Sequence, residues 1–255
     1  SVFFIFLALY LILQKKEVFS AIVTGIGTAT KIYPIILIPV VIKFFRKQKL
    51  ARMIRYGVIV LLVVVVSYLP FIYLGGGEWV LASFTALGKV KPSSTIWAII
   101  AGNWGPGDYG PLNNRVDLSL ADIPQDSLSR IPFGLVTIIT ALLYSWFWIK
   151  STNEDTPKNI IRFSTLTIMV FHLWSKGWSP QWASLIVPML LITFPGKRGV
   201  ISSLWFTLLV FIEWPLSGYI NSHGITSALI IIRTIFFLTI LYRCAKDIWD
   251  NGKFS

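Results

Sequence analysis

Four stretches of the chain contain no Asp, Glu, Lys or Arg: 56–77, 131–149, 177–196 and 214–232. An uncharged apolar run of about 18 residues or more is long enough to cross the hydrocarbon of a bilayer as a helix. No water reaches the backbone at that depth, so a spanning segment has to satisfy its own N–H and C=O groups. The reading that follows is an all-α fold, a polytopic transmembrane helical bundle. Composition agrees, with 55% hydrophobic and only 13% charged residues and a mean hydropathy of +0.71, where a soluble domain carries about 25% charged residues.

The charge balance is 23 basic against 11 acidic residues, a net +12. In a soluble protein that excess would suggest nucleic acid. In a membrane protein basic residues hold loops on the cytoplasmic side, and no nucleic-acid partner is expected. One cysteine, Cys244, excludes an internal disulfide. Neither metal-ligand spacing nor a phosphate-cradling glycine motif is present, so no cofactor is expected. The chain opens at Ser1 on an apolar run, 1–13, without the charged region that begins a signal peptide. It is therefore expected to be a piece whose natural N-terminus lies upstream.

Apolar segments fall at 1–13, 18–42, 56–74, 132–149, 160–174, 182–194, 200–216 and 225–242. The first long one is interrupted by Lys31-Ile32-Tyr33-Pro34. Segments 160–174 and 182–194 are separated only by Ser175-Lys176-Gly177-Trp178-Ser179-Pro180 and their neighbours. Taken as one helix, 160–194 would measure about 52 Å, far more than a bilayer requires. Proline removes a backbone donor and clashes with the preceding turn, and a lysine in mid-bilayer is costly. Both difficulties vanish if each region is a pair of short helices meeting at one membrane face.

Loop charge supports that topology. With both breaks facing out, the inner loops 14–17, 43–55, 150–162 and 195–199 and the tail from Arg243 hold sixteen Lys and Arg, against four in 75–131. This is the positive-inside asymmetry. The chain then reads as one transmembrane domain, 1–255, with 75–131 as a long extracytoplasmic loop. That loop is rich in turn formers and carries Trp79, Trp97 and Trp104, which suit the lipid–water interface. Residues 81–87 and 95–101 fit short interfacial helices.

The residues able to do chemistry cluster at the breaks. Lys31 is either a snorkelling lysine with Tyr33 as an interfacial aromatic or a cation at a helix break that holds an anionic headgroup, helped by the helix that Pro34 opens. Around Lys176, Ser179 and Gln181 add groups that donate to phosphate or sugar oxygens, and Trp182 offers a flat apolar face. Arg233 lies in an otherwise apolar helix. It is read as a partner for Glu213 or for a carbonyl of a broken helix, or as a second phosphate contact. His172 and His223 read as hydrogen-bonded structural histidines. The basic run 43–55 reads as a topology determinant, with anionic-lipid contact as a second role.

These segments resemble a known family. Gly25-Ile26-Gly27-Thr28-Ala29-Thr30-Lys31-Ile32-Tyr33-Pro34, followed by an apolar run and a basic loop, is similar to the "G-x-A-x-x-x-K-x-Y-P" segment of GT-C membrane glycosyltransferases, the family 87 mannosyltransferase-like group above all. Ser94-Thr95-Ile96-Trp97-Ala98 with Gly102-Asn103-Trp104-Gly105 resembles part of that group's large outer loop. Lys176-Gly177-Trp178-Ser179-Pro180-Gln181-Trp182 resembles its "K-x-x-S-P-Q-Y" segment, with Trp182 in place of tyrosine. The resemblance implies transfer of a hexose or pentose from a polyprenyl-phosphate donor to a lipid or cell-envelope glycan acceptor, at the outer face of the plasma (inner) membrane. Lys31, Tyr33, Trp104, Lys176, Ser179, Gln181, Trp182 and Arg233 are the substrate-binding candidates it implies. The family's catalytic carboxylate belongs to a first outer loop, expected upstream of Ser1. None of the acidic residues here matches it. A transporter or flippase for an anionic lipid-linked substrate is the competing reading, because broken helices with charged ends are transporter features as well. The large outer loop and the lack of an internal repeat favour the transferase.

Overall fold

Where the helices stop decides the architecture. The computed structural model describes residues 1–45, 50–82, 91–102, 131–151, 156–216 and 223–251. The helices that build the site are α1 (Val2–Leu13), α2 (Glu17–Thr30), α3 (Ile38–Phe45), α4 (Leu50–Gly75), α5 (Ile96–Ala101), α6 (Phe133–Lys150), α7 (Pro157–Trp174), α8 (Ala183–Thr193), α9 (Lys197–Phe211) and α10 (His223–Asn251). Single 3₁₀ turns, Tyr33–Leu37 and Pro180–Trp182, lead into α3 and α8. Both expected interruptions are present: α2 ends at Thr30 and α7 at Trp174, and each proline opens the next turn. Among the described residues three helices, α4, α6 and α10, are long and apolar enough to cross a membrane.

Side-chain contacts fix the direction of each helix. Glu17 pairs with Arg52 and Arg55 at 3.3 Å each, and the Tyr56 hydroxyl bonds Ser20 at 3.1 Å and Thr24 at 2.9 Å. Tyr68 donates to the Ala29 carbonyl at 3.3 Å. Thus α2 and α4 run side by side in the same direction. The Phe45 ring lies 6.4 Å from that of Tyr56, so α3 returns antiparallel to α2. The second pair behaves alike. The His172 and Trp182 rings are 4.5 Å apart at the break, and Thr165 meets Thr193 at 2.6 Å further down. α10 runs against α7, with Phe237 beside His172 and Asp247 2.7 Å from Arg162. The bundle consequently has a basic end, with Glu17, Arg52, Arg55 and Arg162, and a break end, with both helix interruptions.

Helix faces follow from spacing. In α1 the buried residues are Ile5, Ala8, Leu9 and Ile12, a stripe at i, i+3, i+4 and i+7. α2 presents small residues, which let helices approach closely in a membrane. A Cβ on Gly25 would lie 2.6 Å from that of Val63, and one on Gly27 would lie 2.6 Å from Phe4 Cβ and 2.9 Å from Pro34 Cγ. α7 is the central helix, buried along most of its length, and Thr156 caps it by accepting from the Asn159 N–H at 3.2 Å. None of the residues of α6 is buried, as fits a helix facing lipid.

Lys43 departs from the sequence reading. The run 43–55 was read as an inner loop, but Lys43 belongs to α3 and is 0% exposed. Its ammonium donates to the carbonyls of Trp148, at 2.5 Å, and Ser151, at 3.2 Å, where α6 ends. The last carbonyls of a helix have no intrahelical donor, and a cation there also meets the negative end of the helix dipole. Residues 50–55 are likewise helical, as the first turns of α4. Of the outer loop, residues 83–90 and 103–130 lie outside the described residues, and with them Trp104 and most of the 81–87 segment. The expected 95–101 helix is present as α5, capped by Thr95.

Candidate active site

The two breaks touch. The Tyr33 ring, in the first, lies 5.0 Å from the Trp182 ring, in the second, and both approach Phe171 of α7. Between them is a cavity of about 110 Å³ whose wall includes Lys31, Tyr33, Phe171, His172, Gln181 and Trp182. Four of the sequence candidates, Lys31, Tyr33, Gln181 and Trp182, thus meet at one place although 150 residues of chain separate the two breaks.

Lys31 holds its position for a local reason. It is the residue that ends α2, its backbone is extended, and its N–H still bonds the Gly27 carbonyl at 3.0 Å. The ammonium lies 5.0 Å over the Tyr33 ring, a cation–π contact that holds the long side chain without neutralising it. Among the described residues no carboxylate pairs with it. Lys31 and Tyr33 also line a second, larger space of about 770 Å³, an open groove with Tyr68, Phe71, Leu74 and Trp79 on its far wall. Thr28 Oγ1, on the rim of that groove, is buried without a hydrogen-bond partner among the described residues.

The second break is covered. Residues 93–97 lie across it: Ser93 N–H bonds the Lys176 carbonyl at 2.9 Å, Trp178 N–H bonds the Ser93 carbonyl at 3.2 Å, and the Trp97 indole donates to the Leu173 carbonyl at 2.8 Å. The Lys176 ammonium is directed away from the cavity wall and over the Phe133 ring, at 4.9 Å. Partial burial holds it below the usual lysine range. Ser179 occupies the cap position of the Pro180–Trp182 turn, where its side chain makes no capping bond. Arg233, 2% exposed, forms an ion pair with Glu213, donates to the Ser94 carbonyl and stacks 4.4 Å over Trp178. The sequence offered Glu213 or a carbonyl of a broken helix as its partner; the structure gives it Glu213 and, in place of a helix-break carbonyl, that of Ser94 ahead of α5. The space beside Arg233 is about 10 Å³, room for one water at most.

His172 reverses its sequence reading. Among the described residues neither ring nitrogen has a hydrogen-bond partner, and the residue is only 6% exposed. Only its position on the buried face of α7, one turn before the break, marks it, and that is visible only once the fold is known. No Asp or Glu lines the cavity among the described residues. Beside Lys31, Gln181, His172 and the aromatic rings, its wall includes Ser1 and Ser184 and the aliphatic Val2, Ile5, Ile36 and Leu185.

A family model, glycosyltransferase family 87, matches residues 1–175. The chain belongs to that family. It is a membrane glycosyltransferase, with three helices able to span a bilayer. The match takes in the Lys31 break and α5 and stops one residue before Lys176, so the Gln181–Trp182 wall of the cavity lies beyond it. No curated protein and no solved structure matches the chain.

Proposed function

We propose that the transferase moves a hexose or pentose from a polyprenyl-phosphate donor to a lipid or cell-envelope glycan acceptor, at the extracytoplasmic face of the plasma membrane. The observation that carries this is the double position of Lys31, on the wall of the small cavity and of the open apolar groove at once. A donor with a polyprenyl chain, a phosphate and a sugar in series fits that order: chain in the groove, phosphate at Lys31, sugar in the cavity. Tyr33 holds the ammonium, and Gln181 and Trp182 face it across the cavity. As the glycosyl bond breaks, charge grows on the departing lipid phosphate, and a fixed cation there lowers the barrier. A carboxylate that accepts the acceptor hydroxyl's proton completes the chemistry, and the resemblance assigns it to a first outer loop. Lys176, Ser179, Trp104 and Arg233 remain donor-side candidates, with Arg233 acting through the Ser94 carbonyl and Trp178 it holds. The asymmetry of sixteen basic residues to four supports placing the break end outside, the residues 75–131 with it, and 1–255 as one transmembrane domain.

The test is transfer by the natural full-length protein in proteoliposomes, supplied with a polyprenyl-phosphate sugar on one side at a time. Product formed from externally supplied donor, and abolished in the Lys31→Ala variant, is expected. Transfer that requires a nucleotide sugar, or donor crossing the membrane with no glycosylated product, overturns the proposal.

A further inference from the structure

Beside the cavity lie buried polar groups that the protein itself leaves unanswered among the described residues. His172 is enclosed by the rings of Trp182 at 4.5 Å, Phe171 at 5.4 Å, Trp178 at 5.6 Å and Phe237 at 5.7 Å. Both of its nitrogens are buried without partners among the described residues, and so are the indole nitrogens of Trp178 and Trp182. Buried polar atoms in native proteins are almost always hydrogen-bonded, and each exception calls for an explanation. Here three adjacent rings make the exception together, and two of them, His172 and Trp182, line the cavity with Lys31 and Gln181. Its volume of about 110 Å³ compares with the roughly 10–15 Å³ that one water needs, so it takes a group of several heavy atoms.

The chemistry of the unanswered atoms specifies that group. Among aromatic rings a charge is costly, and a neutral imidazole presents one donor and one acceptor nitrogen. A phosphate has only acceptors and cannot satisfy the acceptor nitrogen. A hydroxyl both donates and accepts, and two neighbouring hydroxyls on a sugar ring match the imidazole together with the Trp182 N–H. The Trp182 ring adds a flat surface for the ring's C–H face.

We propose that His172, with the Trp182 indole N–H, is the hydroxyl-reading element of the cavity, so that the glycosyl group of the donor is what satisfies these buried nitrogens and His172 sets which sugar is accepted. This rests on the donor reading above. Lys31 holds the part of the donor common to every sugar, and His172 reads the part that differs.

The experiment separates the two. The full-length protein in nanodiscs is titrated with bare polyprenyl phosphate and with the same lipid carrying mannose, glucose or arabinose. Wild type is expected to bind the bare lipid and to prefer at least one glycosylated form. In His172→Phe the affinity for the bare lipid stays, while the preference falls roughly 2- to 13-fold, the value of one neutral hydrogen bond. His172→Gln, which keeps a donor and an acceptor, retains part of the preference. The melting temperature of empty His172→Phe is expected to equal or exceed that of wild type, because an unpaired buried group has been replaced by an apolar ring. A merely structural histidine would give the opposite, a lower melting temperature in both variants with no selective loss of sugar preference. That outcome overturns the inference, as does an unchanged preference in His172→Phe or a wild type that treats all the lipids alike. Failure of wild type to bind even the bare lipid defeats the donor reading itself, and the inference with it.

Discussion

The two helix breaks are written alike, a lysine followed within four residues by a proline, yet the fold uses them differently. At the first, Lys31 faces both the cavity and the groove with only the Tyr33 ring against its ammonium among the described contacts. At the second, the backbone of residues 93–97 is bonded across the turn, Arg233 braces it from α10, and the Lys176 ammonium lies over Phe133. The first break is open and the second is held. The difference teaches that a lysine at a helix interruption is only a possible site; what packs over it decides between a binding group and a scaffold. Here the held break presents Gln181 and Trp182 to the open one.

The strongest way to break this contrast is at the brace. Arg233→Ala removes one partner of a buried ion pair, which costs about 3–5 kcal/mol. The melting temperature in detergent should fall sharply, and the Arg233→Leu, Glu213→Leu double variant should recover much of the loss. Next is the open break. Lys31→Ala removes a charge-assisted contact worth about 1.5–3 kcal/mol and should weaken polyprenyl-phosphate binding roughly 10- to 150-fold with little change in melting temperature. Lys176→Ala should weaken it much less, and equal losses at the two lysines would remove the distinction. Third, Gly27→Ala inserts a methyl where Phe4 and Pro34 already stand within 2.6 and 2.9 Å. Overpacking of that kind costs about 1–3 kcal/mol, and it should distort the Lys31 side of the cavity while the Trp97–Leu173 contact, read by tryptophan fluorescence, is unchanged. The smallest effect is at the cover. Trp97→Phe deletes one indole hydrogen bond, about 0.5–1.5 kcal/mol, and should appear as faster hydrogen exchange at residues 175–178 alone.

Much of this was legible from local chemistry. Lys31 and Pro34, Lys176 and Pro180 announce helix interruptions because charge and a missing N–H are penalised wherever they fall in a span, and both α2 and α7 end where those residues require. Arg233 was legible as a residue needing a partner, and Glu213 was in reach of the same argument. Lys43 was not. It stands next to Arg46, Lys47 and Lys49, and a cluster of like charges hides the one member that is buried. The signal available was its place at the end of the apolar run from Ile32, flanked by Phe44 and Phe45. His172 was not legible either, because sequence says which groups can hydrogen-bond but not which are left without a partner. That depends on Trp178, Trp182 and Phe237, brought to it by other helices.

The Lys43 clasp has a consequence for how the protein is made. Its carbonyl partners at Trp148 and Ser151 are 105 and 108 residues further along the chain. At a synthesis rate of about 5–20 residues per second, the lysine emerges roughly 5 to 20 s before the helix end that will enclose it. During that interval the lysine has no helix end to enclose it, and a long cationic side chain then favours the headgroup region. Delivery of α6 by the insertion machinery then allows the ammonium to be drawn inward, and the basic end of the bundle closes around it. A nascent chain that stalls before α6 carries an unburied charge at what should be its core, a visible mark of an unfinished protein for the proteases that survey the membrane.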